Sequence, residues 1–254
     1  MNSLLLKALV NIPEINPGTD IADLIFNNIQ TENISVKNGD IFVIAQKIIS
    51  KAENRYIKLA NIEPSNEALS LAKEVNKTAE FIQVILDESN KIISSTNNML
   101  ITEHRLGFTN INAGIDISNI KDNKNQVLLL PEDPNKSAID LSKKISNLLN
   151  INIEIIISDS MTRPKRYGST GFAIGSSNIN CLLDKKGFKD MYKNELLTTE
   201  IAIGDELAAA ASILMGQCDE RQPIVLISGY KDATEFKTNA KSLGILKKDD
   251  IYGY

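Results

Sequence analysis

With 254 residues, 43% of them hydrophobic, the chain can bury a sizeable core as one large domain or two smaller lobes. Its formal charge of -4 and few aromatic residues argue against a nucleic-acid partner bound through a basic field or a stacking platform. No apolar run is long enough to cross a bilayer, Met1 to Asn11 lacks a signal-peptide pattern, and Cys181 and Cys218 make no CxxC pair, so a soluble cytoplasmic protein is expected.

Ile41 to Ala45 follows the turn residues Asn38, Gly39 and Asp40 and reads as a buried strand. Gln46, Lys47, Ser50 and Lys51 come next. If the chain turns helical there, Lys47 and Lys51 share a face at i, i+4 and can reach one phosphate, although solvated surface lysines are the commoner case. Ser65 after Pro64 is placed to cap a helix to about Asn76, and Ala79 to Ser89 reads as a second helix or its continuation. Met99 to Thr102 and Val127 to Leu130 are short strand candidates. Between them, Asp116 and Asn119 stand close after Gly114; a carboxylate and an amide at that spacing can hold a cation and a nucleotide group, or simply cap a turn. His104 is the lone histidine, which nearly excludes His-based zinc sites and serine triads. A structural or solvent-facing role is expected for it. Chemistry must then rest on carboxylates, lysines and arginines, which points to phosphate and hard cations.

Pro131 to Pro134 reads as a turn, and Ser137 to Leu149 has helical spacing. Ile153 to Ile157 is a strand that delivers Asp159 to its end. The segment that follows carries Arg163, Lys165 and Arg166, then Ser169 and Thr170 among Gly168, Gly171 and Gly175. Read as a loop, it offers a carboxylate for a metal and a basic, glycine-rich stretch for phosphate, or else a turn with a solvated basic face. Thr199 to Met215 is an alanine-rich helix whose apolar residues surround its axis, so both faces are expected to pack. Asp205 and Glu206 within it need a partner or water, and Gly216 stands where a helix stop belongs. Ile224 to Ile227 is a strand, and the charged tail Ser242 to Tyr254 is expected to pack loosely. Neither GxxxxGK[ST] nor GxGxxG occurs, which removes the P-loop and dinucleotide-cofactor readings.

Five segments in order, VIAQKIISKAENR, NAGIDISN, LLPEDP, SDSMTRPKRYGSTGFAIG and GDELAAAASILMG, resemble the coenzyme F-420-0:γ-glutamyl ligase family, with the match running from about Ile12 to Gly229. The resemblance implies an α/β fold with mixed sheets and packed helices, as two interlocked lobes in an intertwined homodimer. A single ligase domain over 1–254 is expected, with any second lobe formed largely after about residue 150. The implied reaction is amide formation between L-glutamate and the carboxylate of a deazaflavin precursor, driven by GTP. Ile12, Pro13, Glu14, Ile15, Gln46, Lys47, Lys51 and Asn119 would line the GTP site. Met215, Gly216, Gln217, Cys218, Asp219, Glu220, Arg221 and Gln222 would close over it. Asp116 and Asp159 would hold one divalent ion, Mg²⁺ or Mn²⁺, while Ser160 and Gln217 help to hold a second; K⁺ is a further candidate ion. Lys51, with Arg163 or Arg166, would neutralise phosphate and carboxylate oxygens. The family usually reads SDTxGRPWR, so Thr162 replaces a glycine and Lys165 a tryptophan, and Gly204 stands for a usual alanine. Loss of the flat indole beside the basic segment favours a second reading, the same chemistry on another small carboxylate. A non-catalytic nucleotide-binding homologue is the third.

Overall fold

A computed structural model of the chain describes residues 3–96, 98–231, 238–245 and 249–250. In chain order, the first half contains β1 (Leu5–Ala8), α1 (Ile21–Thr31), β2 (Ile41–Ala45), α2 (Gln46–Ala52), β3 (Tyr56–Lys58), α3 (Asn66–Val75), α4 (Ala79–Asp87), β4 (Ser89–Thr96), β5 (Met99–His104), β6 (Thr109–Ile111) and β7 (Gln126–Leu128). The second half contains α5 (Pro134–Leu149), β8 (Glu154–Arg163), β9 (Arg166–Ser176), β10 (Leu183–Asp184), β11 (Glu200–Ile201), α6 (Ile203–Met215) and β12 (Ile224–Ser228). The class is mixed α/β.

A five-stranded sheet in the order β1-β12-β2-β8-β9 organises the molecule. β2 and β8 are parallel, with Ala45 opposite Ser158, while the other three pairings are antiparallel. β2 is buried almost throughout, as its unbroken apolar run requires of a central strand covered on both faces. On one face Phe42, Ile44, Ile155 and Ile157 pack with Ile25 and Ile29 of α1 and Leu141 and Ile145 of α5. On the other, Val43, Ile156 and Val225 meet Leu207, Ala208 and Ala211 of α6. A separate core gathers Ala72, Val75, Ile82, Ile85, Leu100, Ile115, Val127 and Leu129, around α3, α4 and β5.

Several expectations change here. Any second lobe was expected to form largely after about residue 150; β8, β9 and β12 from that region join β2 in the main sheet, and the separate core draws on residues between 57 and 129. The basic segment is no loop: Glu154–Arg163 and Arg166–Ser176 form one long hairpin closed at Pro164 and Lys165, with Lys165 at φ 55°. α5 begins at Pro134 rather than Ser137, because proline suits the first helical turn and the Asp133 side chain accepts from the backbone N–H of Lys136. α6 packs one face only, leaving Ile213 exposed. Asp205 finds its partner in the backbone N–H of Ala173, at 2.9 Å. α3 is capped as expected, with Ser65 Oγ accepting from Ala68 N and Asn76 left-handed at the C-terminus. His104 is fully buried and structural: its ring stacks on Phe108, its Nδ1 accepts from Leu106 N at 3.0 Å, and Nε2 faces Glu88. Of the charged tail, Leu243 packs against the α6 core, while 246–248 and 251–254 lie outside the described residues.

Candidate active site

β2 ends at Ala45, opposite Ser158 of the parallel β8, which runs on to Arg163; the crevice opens at the edge where β2 ends. Ala45 hands the chain straight into α2, which sets Gln46 and Lys47 at that edge, and β8 sets Ser158, Asp159 and Ser160 beside them. The third element is a bend. Asn112, Ala113 and Gly114 all have positive φ, at 49°, 53° and 64°. A left-handed alanine costs about 1–2 kcal/mol, and here the bend turns the chain so that Asp116 can bridge Leu128 through two backbone hydrogen bonds of 2.9 and 3.0 Å. The fourth element is the segment after α6, from Met215 to Gln222.

These elements enclose a cleft of about 450 Å³. It is lined by every residue from which a nucleotide or metal contact is expected, Ile12–Ile15, Gln46, Lys47, Lys51, Asp116, Asn119, Asp159, Ser160 and Met215–Gln222. Gln46 donates from Nε2 to Asp116 Oδ2 at 2.6 Å and accepts from Ser50 Oγ at 2.9 Å, a buried relay that fixes both amide ends. Lys47 Nζ lies 3.2 Å from Asp116 Oδ1. Asn110 Nδ2 donates to Asp159 Oδ2 at 3.2 Å. Asn119 Nδ2 donates to the Cys218 carbonyl at 3.0 Å, pinning the Met215–Gln222 segment across the cleft. The Glu220 carboxylate accepts from Cys218 N at 2.8 Å and folds this segment onto itself over Gly216, where any side chain would strike that carboxyl.

Charge is unevenly balanced in the cleft. Burial raises the Asp116 carboxyl despite Lys47 and Gln46, and burial followed by the Asp116 charge pushes Asp159 up to about 7. Two buried acids, one of which raises the other, call for a cation between them. Among the described residues no group of three or more His, Cys, Asp and Glu side chains is arranged as a metal cage. Two carboxylates, a serine hydroxyl and an amide oxygen instead match the way Mg²⁺-type ions are held, by one or two protein acids with phosphate oxygens completing the shell. The donor set fits a hard divalent ion shared with a nucleotide. Lys51 is buried, and burial lowers its pKa; among the described residues it forms no ion pair. Its ammonium is a charge in want of an anion.

Arg163 and Arg166 are not part of this cleft. They face each other at the exposed end of the β8–β9 hairpin. At ~3.3 Å per strand residue, the Arg163 backbone lies about 13 Å along the strand from Asp159, and neither arginine lines the cleft.

The sequence match completes the picture. Residues 9–229 match the family model described as F420-0:Gamma-glutamyl ligase. The chain belongs to this family. A relative from Methanococcus maripaludis, named Coenzyme F420:L-glutamate ligase, is 41% identical over 249 residues, which cover 96% of this chain and 95% of the relative. Relatives of the same name from Methanocaldococcus jannaschii and Archaeoglobus fulgidus are 45% and 37% identical over 194 and 224 residues. They cover 76% and 88% of this chain, and 77% and 87% of their own lengths.

In this family member, Ser212 in the lining and Asn110 and Ser118 behind it were not singled out by the sequence. Asn110 is buried on β6, a strand of three residues that is too short to show a pattern in the sequence. Gly171 and Ser212 meet where β9 crosses α6, with Gly171 N donating to Ser212 Oγ at 3.3 Å, a contact between residues 41 apart. Ser118 accepts from Lys47 through both its carbonyl and its hydroxyl.

Proposed function

We propose that this chain is a GTP- and divalent-metal-dependent ligase that joins the amine of L-glutamate to the carboxylate of a deazaflavin coenzyme precursor. The observation that carries the reading is the pairing of Asp116 with Asp159 in one cleft beside the unpaired Lys51 and the Met215–Gln222 segment. The names of the relatives support the glutamate and the coenzyme.

The chemistry asks for activation. A free carboxylate is a poor acyl donor, so its oxygen takes the γ-phosphoryl group of GTP, GDP leaves, and an acyl phosphate remains. The glutamate amine then attacks the acyl carbon, the C–O bond to phosphate breaks, and phosphate departs with the electron pair while the nitrogen gives up a proton. Mg²⁺ or Mn²⁺ held by Asp116 and Asp159, with Ser160 and Gln217, would supply charge stabilisation for the transferring phosphoryl group. Gln46 and Asn110 hold the two carboxylates in position. Lys51 neutralises phosphate oxygens from the buried wall, and the Met215–Gln222 segment closes over the nucleotide. Arg163 and Arg166 have no part in the phosphoryl step within one chain. The exposed Tyr167 at the hairpin tip, and the exposed Met191, Tyr192 and Leu197 later in the chain, support a homodimer that covers them.

A second acceptor reading keeps the same site and replaces the deazaflavin with another small carboxylate; Thr162 and Lys165 at the tip are the residues that favour it. GDP release, measured with L-glutamate alone and with the deazaflavin precursor added, separates the two. Release only with both substrates is expected. Thermal shifts with GDP and ADP in the presence of Mn²⁺ test the nucleotide: GDP is expected to stabilise the protein more, and equal shifts would remove the guanine assignment.

A further inference from the structure

Asp116 has both oxygens committed. Gln46 Nε2 holds Oδ2 at 2.6 Å, and Lys47 Nζ holds Oδ1 at 3.2 Å. The Lys47 ammonium is fixed from behind by Ser118, whose carbonyl and Oγ accept from it at 3.1 and 3.2 Å. Lys51 is the contrast. It feels the charge of Glu14 and, more weakly, that of Asp116, but among the described residues it makes no ion pair with either. Two lysines on one helical face, four residues apart, therefore do different things: one is spent on the acid, the other is free.

We propose that Lys47 is a built-in counter-cation of the acid pair, which a divalent ion must displace from Asp116, and that the displaced ammonium then turns to a nucleotide phosphate. This rests on the metal and nucleotide reading above. The physical ground is competition. A metal and an ammonium repel each other across Asp116 and compete for its Oδ1, and a partly buried carboxylate without either would lie next to Asp159 with only the Gln46 amide and the more distant Lys51 to oppose its charge. Lysine suits the exchange because its ammonium is a point charge on a flexible stem, with no fixed fork to break. On leaving, Lys47 gives up one ion pair and the two Ser118 contacts. Phosphate oxygens within the same cleft return comparable charge-assisted bonds. Metal and nucleotide then favour each other through the chain, beyond any direct bond between them, and the effect is reciprocal.

The test is Mn²⁺ binding to nucleotide-free protein, followed by electron paramagnetic resonance of the free ion, in the parent and four variants. Lys47→Met removes the competitor, so Mn²⁺ is expected to bind about tenfold tighter or more. Lys51→Met removes a charge that shares the field but not the contact, and a change within about threefold is expected. Lys47→Arg grips Asp116 with a fork, so Mn²⁺ should bind several-fold more weakly than to the parent; it also guards against a Met variant that fails to fold. GDP titration gives an independent signature. Without Mn²⁺, Lys47→Met and the parent should bind GDP alike; with Mn²⁺, the variant should fall about tenfold behind. Equal Mn²⁺ affinity in the parent, Lys47→Met and Lys47→Arg, with Asp159→Asn still weakening it, overturns the counter-cation while leaving the metal reading intact. Mn²⁺ affinity indifferent to Asp159→Asn removes the metal reading, and the proposal with it.

Discussion

At its root the β8–β9 hairpin is packed on both sides, with Ile155 and Ile157 turned to α5 and Ile156 and Ala173 turned to α6. At its tip Arg163 through Gly168 are exposed, and Tyr167 is entirely so. The strands stay paired from root to tip, with register shifts between Ile157 and Ser158 and between Thr162 and Arg163, so pairing as such does not distinguish the two ends. What differs is the surroundings. At the root an acid is desolvated and pushed up to about 7, and it gains meaning only through Asp116 and Asn110, which lie far off in sequence. At the tip the basic residues keep their water, and their charges are screened. Residues four apart on one strand thus lie in two chemical environments, and adjacency in sequence is a poor guide to membership of a site.

The largest effect that can test this contrast is at Asp159. Asp159→Asn keeps the size and removes the charge, so GTP-dependent amide formation should fall by at least about 100-fold, since metal charge stabilisation is worth several kcal/mol. Stability without metal should move the other way. Burial raises the folded pKa to about 7, above the unfolded value near 3.9. The parent therefore loses stability as pH rises through that window, and Asn does not. The variant should match the parent near pH 4 and exceed it by about 1–2 kcal/mol above pH 7.5. Mn²⁺ should close that gap by stabilising the parent alone. Urea unfolding at the two pH values reads all three effects, and a variant that is less stable at high pH would return Asp159 to a purely structural role.

An effect of middle size compares two glycines of this hairpin. A Cβ at Gly171 would stand 2.4 Å from the Ala208 carbonyl oxygen, so α6 must shift. Gly168 has open space, but its φ is +84°. Gly171→Ala should cost about 2–3 kcal/mol by overpacking and weaken GDP binding, because Ser212 and the segment after Met215 move with α6. Gly168→Ala should cost about 1 kcal/mol from the backbone alone and leave GDP binding unchanged. If Gly168→Ala impaired the nucleotide as much, root and tip would be mechanically coupled.

The two ends also explain what could be read without coordinates. β2 and β12 are short, nearly all-apolar strands, and α3 carries its own cap at Ser65, so local pattern and tertiary packing agree there. The expected residues of the cleft come from five stretches; four were legible through polar side chains beside an apolar strand or helix, and Ile12–Ile15 only through the family resemblance. Their interactions were not. That Lys47 turns to Asp116 while Lys51 stays free depends on a bend at Ala113 that no propensity favours. The tip was misread because arginine, lysine, serine and glycine together suit a loop, whereas pairing with the facing strand overrides composition. The core between residues 57 and 129 was missed because its strands are short and its apolar positions are spread over six elements.

The smallest expected effect is at the tip, and it is the sharpest test of the comparison. Arg163 and Arg166 face each other across the turn, two like charges exposed to solvent and outside the lining of the cleft. Replacing both with alanine removes a repulsion that water already screens, so stability should change by less than about 0.5 kcal/mol. GDP affinity in the presence of Mn²⁺ should stay within about twofold, because neither guanidinium touches the cleft from its own chain. A phosphate-binding pair would behave otherwise. Charge-assisted bonds to phosphate are among the stronger ones, and their loss should cost about tenfold or more. Isothermal titration of GDP and Mn²⁺ into the double variant, beside a sedimentation measurement of its oligomeric state, distinguishes the outcomes. Unchanged affinity leaves the tip as an arm outside the nucleotide chemistry. A tenfold loss in a protein found to sediment as a dimer would mean that the arm closes over a cleft in that dimer, and the separation of root from tip would hold for the single chain alone.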